Sequence, residues 1–338
     1  MGIYYKFRKH LILLFLYYII FSCDTGDNEP ACNMPTEEKP KRIPQTWSIN
    51  IINTDGNDEI KLYEEQDRWM AYPQFTPNGS QIIYYCGRTI GIMDSDGDNR
   101  TVLTREGSKP HLSPDGTKIV YIRDGYIWIM NVDGDNVTQL TSESPLGDNP
   151  VFTPDGLKIL YIMSRNIWMM DIDGSHKMKL TENLGDLQYF DISSDGLRIA
   201  YSAGVNNVWD IYLLDLGENK AINLTNDNKW YGYPHFSQVG SFIAYVCNSW
   251  SDNIYSQIYI TDINGNNKYI LYEDWFFGDL IVSPDGTKIA FNNGAGLNII
   301  DIDSSNLTYL TDLGHCDWRA MNFSPDGRNI VYITKGEL

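Results

Sequence analysis

Seven times along the chain, a turn of the form Phe-Ser-Pro-Asp-Gly, or a close variant of it, is followed by a short run of β-branched and aromatic residues. The turn glycines are Gly79, Gly116, Gly156, Gly196, Gly240, Gly286 and Gly327, which subtraction places 37, 40, 40, 44, 46 and 41 residues apart. Runs such as Ile82-Ile83-Tyr84-Tyr85, Ile119-Val120-Tyr121-Ile122 and Ile330-Val331-Tyr332-Ile333 have the length and composition of buried strands. A second turn recurs at Asp55-Gly56, Asp96-Gly97, Asp133-Gly134, Asp173-Gly174 and Asn264-Gly265, with degenerate copies at Gly217-Glu218 and Asp303-Ser304. Asp-Gly and Asn-Gly tolerate the positive φ of tight hairpins. A closing strand follows each, ending at pairs such as Leu103-Thr104, Leu140-Thr141 and Leu180-Thr181. Each repeat therefore supplies four strands and two hairpins. Trp128, Trp168, Tyr212 and Tyr259 share one strand position and are expected in the core.

Four-stranded units of this length cannot bury both faces alone and must stack on neighbours in a ring. The expected fold is all-β, a β-propeller of seven four-stranded blades. The second kind of turn comes first, at Asp55, and the first kind comes last, at Asp326, so the two chain ends share a closing blade. Residues 48–54 and 59–63 should pair with 320–324 and 329–334. The Ser-Pro-Asp-Gly turn, the strand Ile127-Trp128-Ile129-Met130, the Asp-x-Asp-Gly turn and the Leu-Thr ending together resemble the WD-like repeats of the TolB propeller family. The resemblance covers residues 46–338. TolB itself is similar to a six-bladed ring preceded by an α/β domain, so this chain departs from it in blade count and lacks that domain, which weakens any inference of a direct Tol-Pal role.

Ahead of the repeats, Lys6, Arg8 and Lys9 precede an apolar run from Leu11 to Phe21, which is too short to span a bilayer as a standard helix. The run stops at Ile20-Phe21-Ser22-Cys23, which resembles the lipobox of bacterial lipoproteins and implies lipid attachment at Cys23. Residues 1–22 are expected to be a signal peptide, 23–45 a polar tether and 46–338 the propeller. That places the domain in the bacterial cell envelope, on the periplasmic or cell-surface side, with the lipid as its link to the membrane.

The formal net charge is −18 and the pI near 4.5, which argues against nucleic acid or anionic lipid as a partner. An envelope protein, a peptide or a glycan is expected instead. Five cysteines do not make a disulfide framework; Cys86 and Cys247 occupy equivalent places in different repeats and read as buried small hydrophobes. There is no Gly-x-Ser-x-Gly, His-Glu-x-x-His or phosphate-binding glycine loop. The stretch Asp94-Ser95-Asp96-Gly97-Asp98-Asn99 reads as a hairpin, because its glycine comes too early for a calcium loop. His111 and His235 both stand five residues before a repeat glycine, but on blades that are not neighbours. No catalytic residue, metal or cofactor is expected. Propellers resembling this one also occur as polysaccharide lyases, and a carbohydrate-active enzyme of the envelope is the alternative.

The two tight turns of each unit lie at one end of the strands, so the remaining connections share the opposite face and are expected to be long and chemically uneven. Binding residues usually sit on such connections. There the sequence concentrates Trp69, Tyr72, Trp230, Tyr231, Tyr233, Trp250, Trp275, Phe276, Phe277, Asp317, Trp318 and Arg319, all on adjoining blades. Aromatic faces beside Asp and Arg suit sugars or extended peptides. The sequence thus predicts an envelope-anchored, non-catalytic propeller that binds a partner on this aromatic loop face.

Overall fold

The computed structural model describes residues 44–142, 147–182, 185–205, 208–227, 229–248, 256–274, 278–312 and 320–336. The expected signal peptide, lipobox and nearly all of the expected tether lie outside them. Among the described residues 28 strands pair as five four-stranded sheets and one eight-stranded sheet, which is two four-stranded meanders joined by a single parallel bridge, Trp209 to Trp230. Seven antiparallel units result, and the chain is an all-β propeller. Their innermost strands, in chain order, are Met70–Phe75, Ser108–Leu112, Asp148–Phe152, Asp186–Ile192, Trp230–Phe236, Leu280–Val282 and Met321–Phe323.

The seventh unit closes the ring as the turn order requires. Thr46–Asn53 pairs in antiparallel register with Asn329–Gly336 along its whole length, from Thr46 opposite Gly336 to Asn53 opposite Asn329. A polar cluster fixes that register: Ser48 Oγ and Thr334 Oγ1 are 2.7 Å apart, and Asn50 Nδ2 donates to Thr334 Oγ1 at 3.1 Å. Slipping the pair by one residue would turn Asn50, which is buried, toward the wrong face and leave its amide unsatisfied.

The hydrophobic core lies between adjacent units rather than within them. One cluster joins Trp47, Ile49, Val331 and Ile333 of the seventh unit to Met70, Ile82 and Met93 of the first; another joins Ile127 and Ile129 of the second to Phe152, Ile159 and Tyr161 of the third. The turns lock this stacking. Each Pro-Asp-Gly glycine has a φ of +70° to +72° and rests on the turn of the preceding unit. A Cβ on Gly116 would lie 2.9 Å from Pro77 Cδ, so glycine is needed there for close approach as well as for backbone geometry. In five of the seven turns a hydroxyl latches an aspartate: Ser113 Oγ donates to Asp115 Oδ1 at 2.5 Å and accepts from Lys118 N at 2.9 Å.

Two expectations are revised. The within-unit connections of the first three units are not long: Gly87-Arg88, Asp124-Gly125 and Ser164-Arg165 are two-residue hairpins with positive φ at both positions. The loop face is therefore tight over these units. Of the four aromatics assigned to core, Tyr259 is buried, whereas Trp128, Trp168 and Tyr212 are half-buried at the outer part of the inter-unit packing. Cys86 and Cys247 are both buried and free.

Candidate functional site in the central depression

All seven innermost strands start at the loop face, and residues mostly from their middle and later positions line a depression of about 200 Å³ on the axis of the ring. Four of these strands carry a positive-φ residue followed by proline: Tyr72-Pro73, Lys109-Pro110, Asn149-Pro150 and Tyr233-Pro234. At each, the pairing to the second strand shifts register, a β-bulge. Proline suits an edge strand because it has no N–H to leave unpaired, and the bulge re-aims the neighbouring side chains toward the axis.

The residue five before each repeat glycine is Gln74, His111, Val151, Asp191, His235, Ile281 or Asn322, and all seven line the depression. Four of them serve the adjacent unit. Gln74 Oε1 accepts from Leu112 N at 2.9 Å, His111 Nδ1 from Phe152 N at 3.4 Å, Asp191 Oδ2 from Phe236 N at 2.8 Å, and Asn322 Oδ1 from Phe75 N at 3.3 Å. The innermost strand has no strand partner on its axial edge, so these side chains satisfy amides that would otherwise be buried and unpaired. Acceptance at Nδ1 places the proton of a neutral His111 on Nε2.

His235 is placed differently. Its Nδ1 lies 3.7 Å from Asp191 Oδ2 and its Nε2 lies 3.7 Å from Asp279 Oδ1, so one imidazole stands between two carboxylates from the units on either side. The Asp279 side chain is only 9% exposed, whereas His235 is 33% exposed and faces the opening. Tyr189 and Tyr233 pack at a tilt beside this acidic sector with centroids 4.4 Å apart, and Trp230 leans on Tyr233 at 5.8 Å.

Five of the twelve residues predicted for the binding face fall in the described region, and the structure separates them. Tyr72 and Tyr233 line the depression, and Trp230 backs Tyr233. Trp69 is 38% exposed on the rim, edge-on to Tyr85 at 5.2 Å. Tyr231 is a correction: it is fully buried, donates to Asp227 Oδ2 at 2.8 Å, and packs on Tyr245 and Tyr259. The register shift between Gly232 and His235 separates it from Tyr233, two residues on, which lines the depression. Burial and the Asp227 hydrogen bond push the Tyr231 phenol far above the ordinary tyrosine range. Trp250, Trp275, Phe276, Phe277, Asp317, Trp318 and Arg319 lie outside the described residues. The sequence reading missed Gln74, Asn149, Tyr189, Asp191, Asp279 and Asn322. For Gln74, Asp191 and Asn322 the signal was available, since the offset that singled out His111 and His235 applies to them too.

No family model and no curated protein matches this chain. Solved structures do match its fold. TolB of Agrobacterium tumefaciens is 17% identical with a TM-score of 0.58, covering 87% of this chain and 99% of that one. An oligogalacturonate lyase in complex with manganese is 13% identical with a TM-score of 0.69, covering 85% and 96%. TolB of Acinetobacter baumannii is 24% identical with a TM-score of 0.51, covering 70% and 61%. The fold is therefore that of a TolB-like propeller, shared by proteins of unlike activity.

Proposed function

We propose that this protein is a non-catalytic binding propeller of the bacterial cell envelope, lipid-anchored at Cys23, which holds a protein, peptide or glycan partner at the mouth of its central depression. The supporting observation is the use made of the polar groups there. Gln74, His111, Asp191 and Asn322 spend acceptor atoms on backbone amides of neighbouring units, which fixes them as parts of a rigid rim. A rigid concave surface lined by tyrosines and shaped polar groups recognises a partner at low ordering cost.

The lyase alternative draws on the manganese-bound neighbour and on His111 and His235, which the ring brings to one depression although their blades are not adjacent. The residues do not fit a metal centre: Nδ1 of His111 and both oxygens of Asp191 already accept backbone N–H groups. Among the described residues no three His, Cys, Asp or Glu side chains are grouped to hold an ion. The test is capture from detergent-solubilised envelope by the full-length protein, compared with His235→Trp, which fills the mouth, and Leu197→Trp on the opposite face. Loss of the captured partner with His235→Trp alone supports the reading; equal capture by both variants contradicts it.

A further inference from the structure

We propose that the seam where the ring closes holds a second binding site, a polar cleft among the turns that takes a single neutral sugar unit; it lies apart from the mouth of the central depression and does not depend on it. The repeats supply their own comparison. The residue that follows the third strand is Val132, Ile172, Leu216, Ile263 or Ile302 in the second to sixth units, and each packs into the apolar core shared with the preceding unit. In the first unit that residue is Ser95, which is too short to fill the same space. The facing wall is thin in the same way. The second strand begins with Gln81, Lys118, Lys158, Arg198, Phe242 or Lys288 in the first six units, but with Asn329 in the seventh. Only where the seventh unit meets the first do two short polar side chains come together, and there a cleft of about 260 Å³ opens.

The lining selects the kind of ligand. Ser95 Oγ and the Asn329 amide are half-buried and make no side-chain hydrogen bond among the described residues. Asn78 spends its Oδ1 on Thr76 and Ser80, which leaves its Nδ2 to donate. Asp326 spends Oδ1 on Ser324 and on Arg328 N, which leaves Oδ2 to accept, and the Arg328 guanidinium 4.0 Å away balances its charge. No lysine or arginine lines the cleft to hold a phosphate or a carboxylate, and its single carboxylate has a counter-charge, so a neutral ligand fits best. That ligand must both donate and accept, as hydroxyl groups do. Ile51 and Pro325 add apolar contact beside these groups, suited to the C–H face of a sugar ring. A volume of about 260 Å³ is below the ~300 Å³ at which pockets for whole drug-sized ligands begin, so one sugar unit is the matching size. Its hydroxyls would take over hydrogen bonds that water otherwise makes there.

The experiment is saturation-transfer NMR of the full-length protein in lauryldimethylamine oxide, a detergent without a sugar headgroup. The probes are the methyl glycosides of glucose, galactose, mannose and N-acetylglucosamine, and at least one should receive saturation from the protein. Ser95→Ile installs the side chain that Ile172 and Ile302 supply at their own seams, and Asn329→Lys the one that Lys118 and Lys288 supply. Each should weaken binding tenfold or more. Both fill space rather than open it, so the melting temperature should hold or rise. His235→Trp, in the mouth, should leave sugar binding unchanged. Equal affinity for a disaccharide ending in the same sugar points to the end of a glycan chain, and loss of affinity to a free monosaccharide. Failure of all four probes, or binding that survives both seam variants, overturns the proposal, as does binding lost with His235→Trp, which would move the sugar to the mouth. Failure at the seam leaves the reading of the mouth untouched, because envelope capture tests that reading by itself.

Discussion

Asn322 Oδ1 accepts the backbone N–H of Phe75 at 3.3 Å across 247 residues of sequence. The bond ties the last innermost strand to the first, and so belongs to the step that makes a ring from a row of repeats. Leucine at position 322 has similar bulk but no acceptor, which leaves a buried amide unpaired at a cost of about 1–3 kcal/mol. Asn322→Leu should lower the urea midpoint with an unchanged slope, since the surface exposed on unfolding stays the same. An unaltered midpoint would show that the bond does not contribute.

Closure should matter more than any single bond in it. Removing residues 45–64 strips most of the two strands that complete the seventh unit and exposes the Asn329–Gly336 edge to other chains. The truncated protein is expected to aggregate, or to melt well below the intact one, in light scattering and thermal scans. A monomer with the parental melting curve would contradict the closing pair.

The ladder of turns departs from its proline pattern at two positions, Ser194 and Gln238, and at the first of them without a visible need. Ser194 stands where Pro77, Pro114, Pro154, Pro284 and Pro325 stand in other units, and the Gly240 turn rests on it as Gly116 rests on Pro77. Proline at the second place of such a turn stiffens the unfolded chain, contributing about 0.4–1 kcal/mol where φ is compatible. Ser194→Pro should therefore raise the melting temperature by a few degrees, a change differential scanning calorimetry resolves.

The turn aspartates make stability depend on acid. Hydroxyl donation from Ser113 holds the Asp115 carboxyl below its ordinary value, as Thr153, Ser193, Ser283 and Ser324 do for Asp155, Asp195, Asp285 and Asp326. A carboxylate with a depressed folded-state pKa binds fewer protons when folded. Its contribution is present above the unfolded value, about 3.9, and is lost as pH falls through the folded one. Asp115→Asn should lower the melting temperature at pH 7, and the gap from the wild type should close as pH falls through the lowered carboxyl value of the folded state. A gap independent of pH would assign the effect to packing.

The aromatics expected on the binding face divide by burial. Tyr231→Ala empties a fully enclosed site and should cost roughly 3–5 kcal/mol, by analogy with buried phenylalanine. Trp69→Ala, on the exposed rim, should cost far less. Urea melts of the two variants check the ordering.

The fold was legible because its determinants are local and repeated. A glycine with φ near +70°, such as Gly116, is imposed by a four-residue turn, and the turn carries its own motif. Closure was legible from turn order alone. The depression was not, for three physical reasons. Its rim position accepts any side chain that reaches the next unit's amide, or an apolar one such as Val151 or Ile281, so no residue type repeats there. The bulges before Pro73 and Pro234 shift the strand register, so simple alternation does not say which neighbour faces the axis. Asp279 lies just before a strand of three residues and has no counterpart motif to mark it.

The most direct test of the binding mouth is site-specific photo-crosslinking of the full-length protein in its own envelope. A benzophenone side chain would replace Trp69 on the rim of the loop face, or Leu197, exposed among the turns of the opposite face. Adducts to a discrete partner from position 69, suppressed when His235→Trp fills the mouth, are the predicted result. Adducts that form from position 197 and not from 69, or that persist at 69 with the mouth filled, would contradict it.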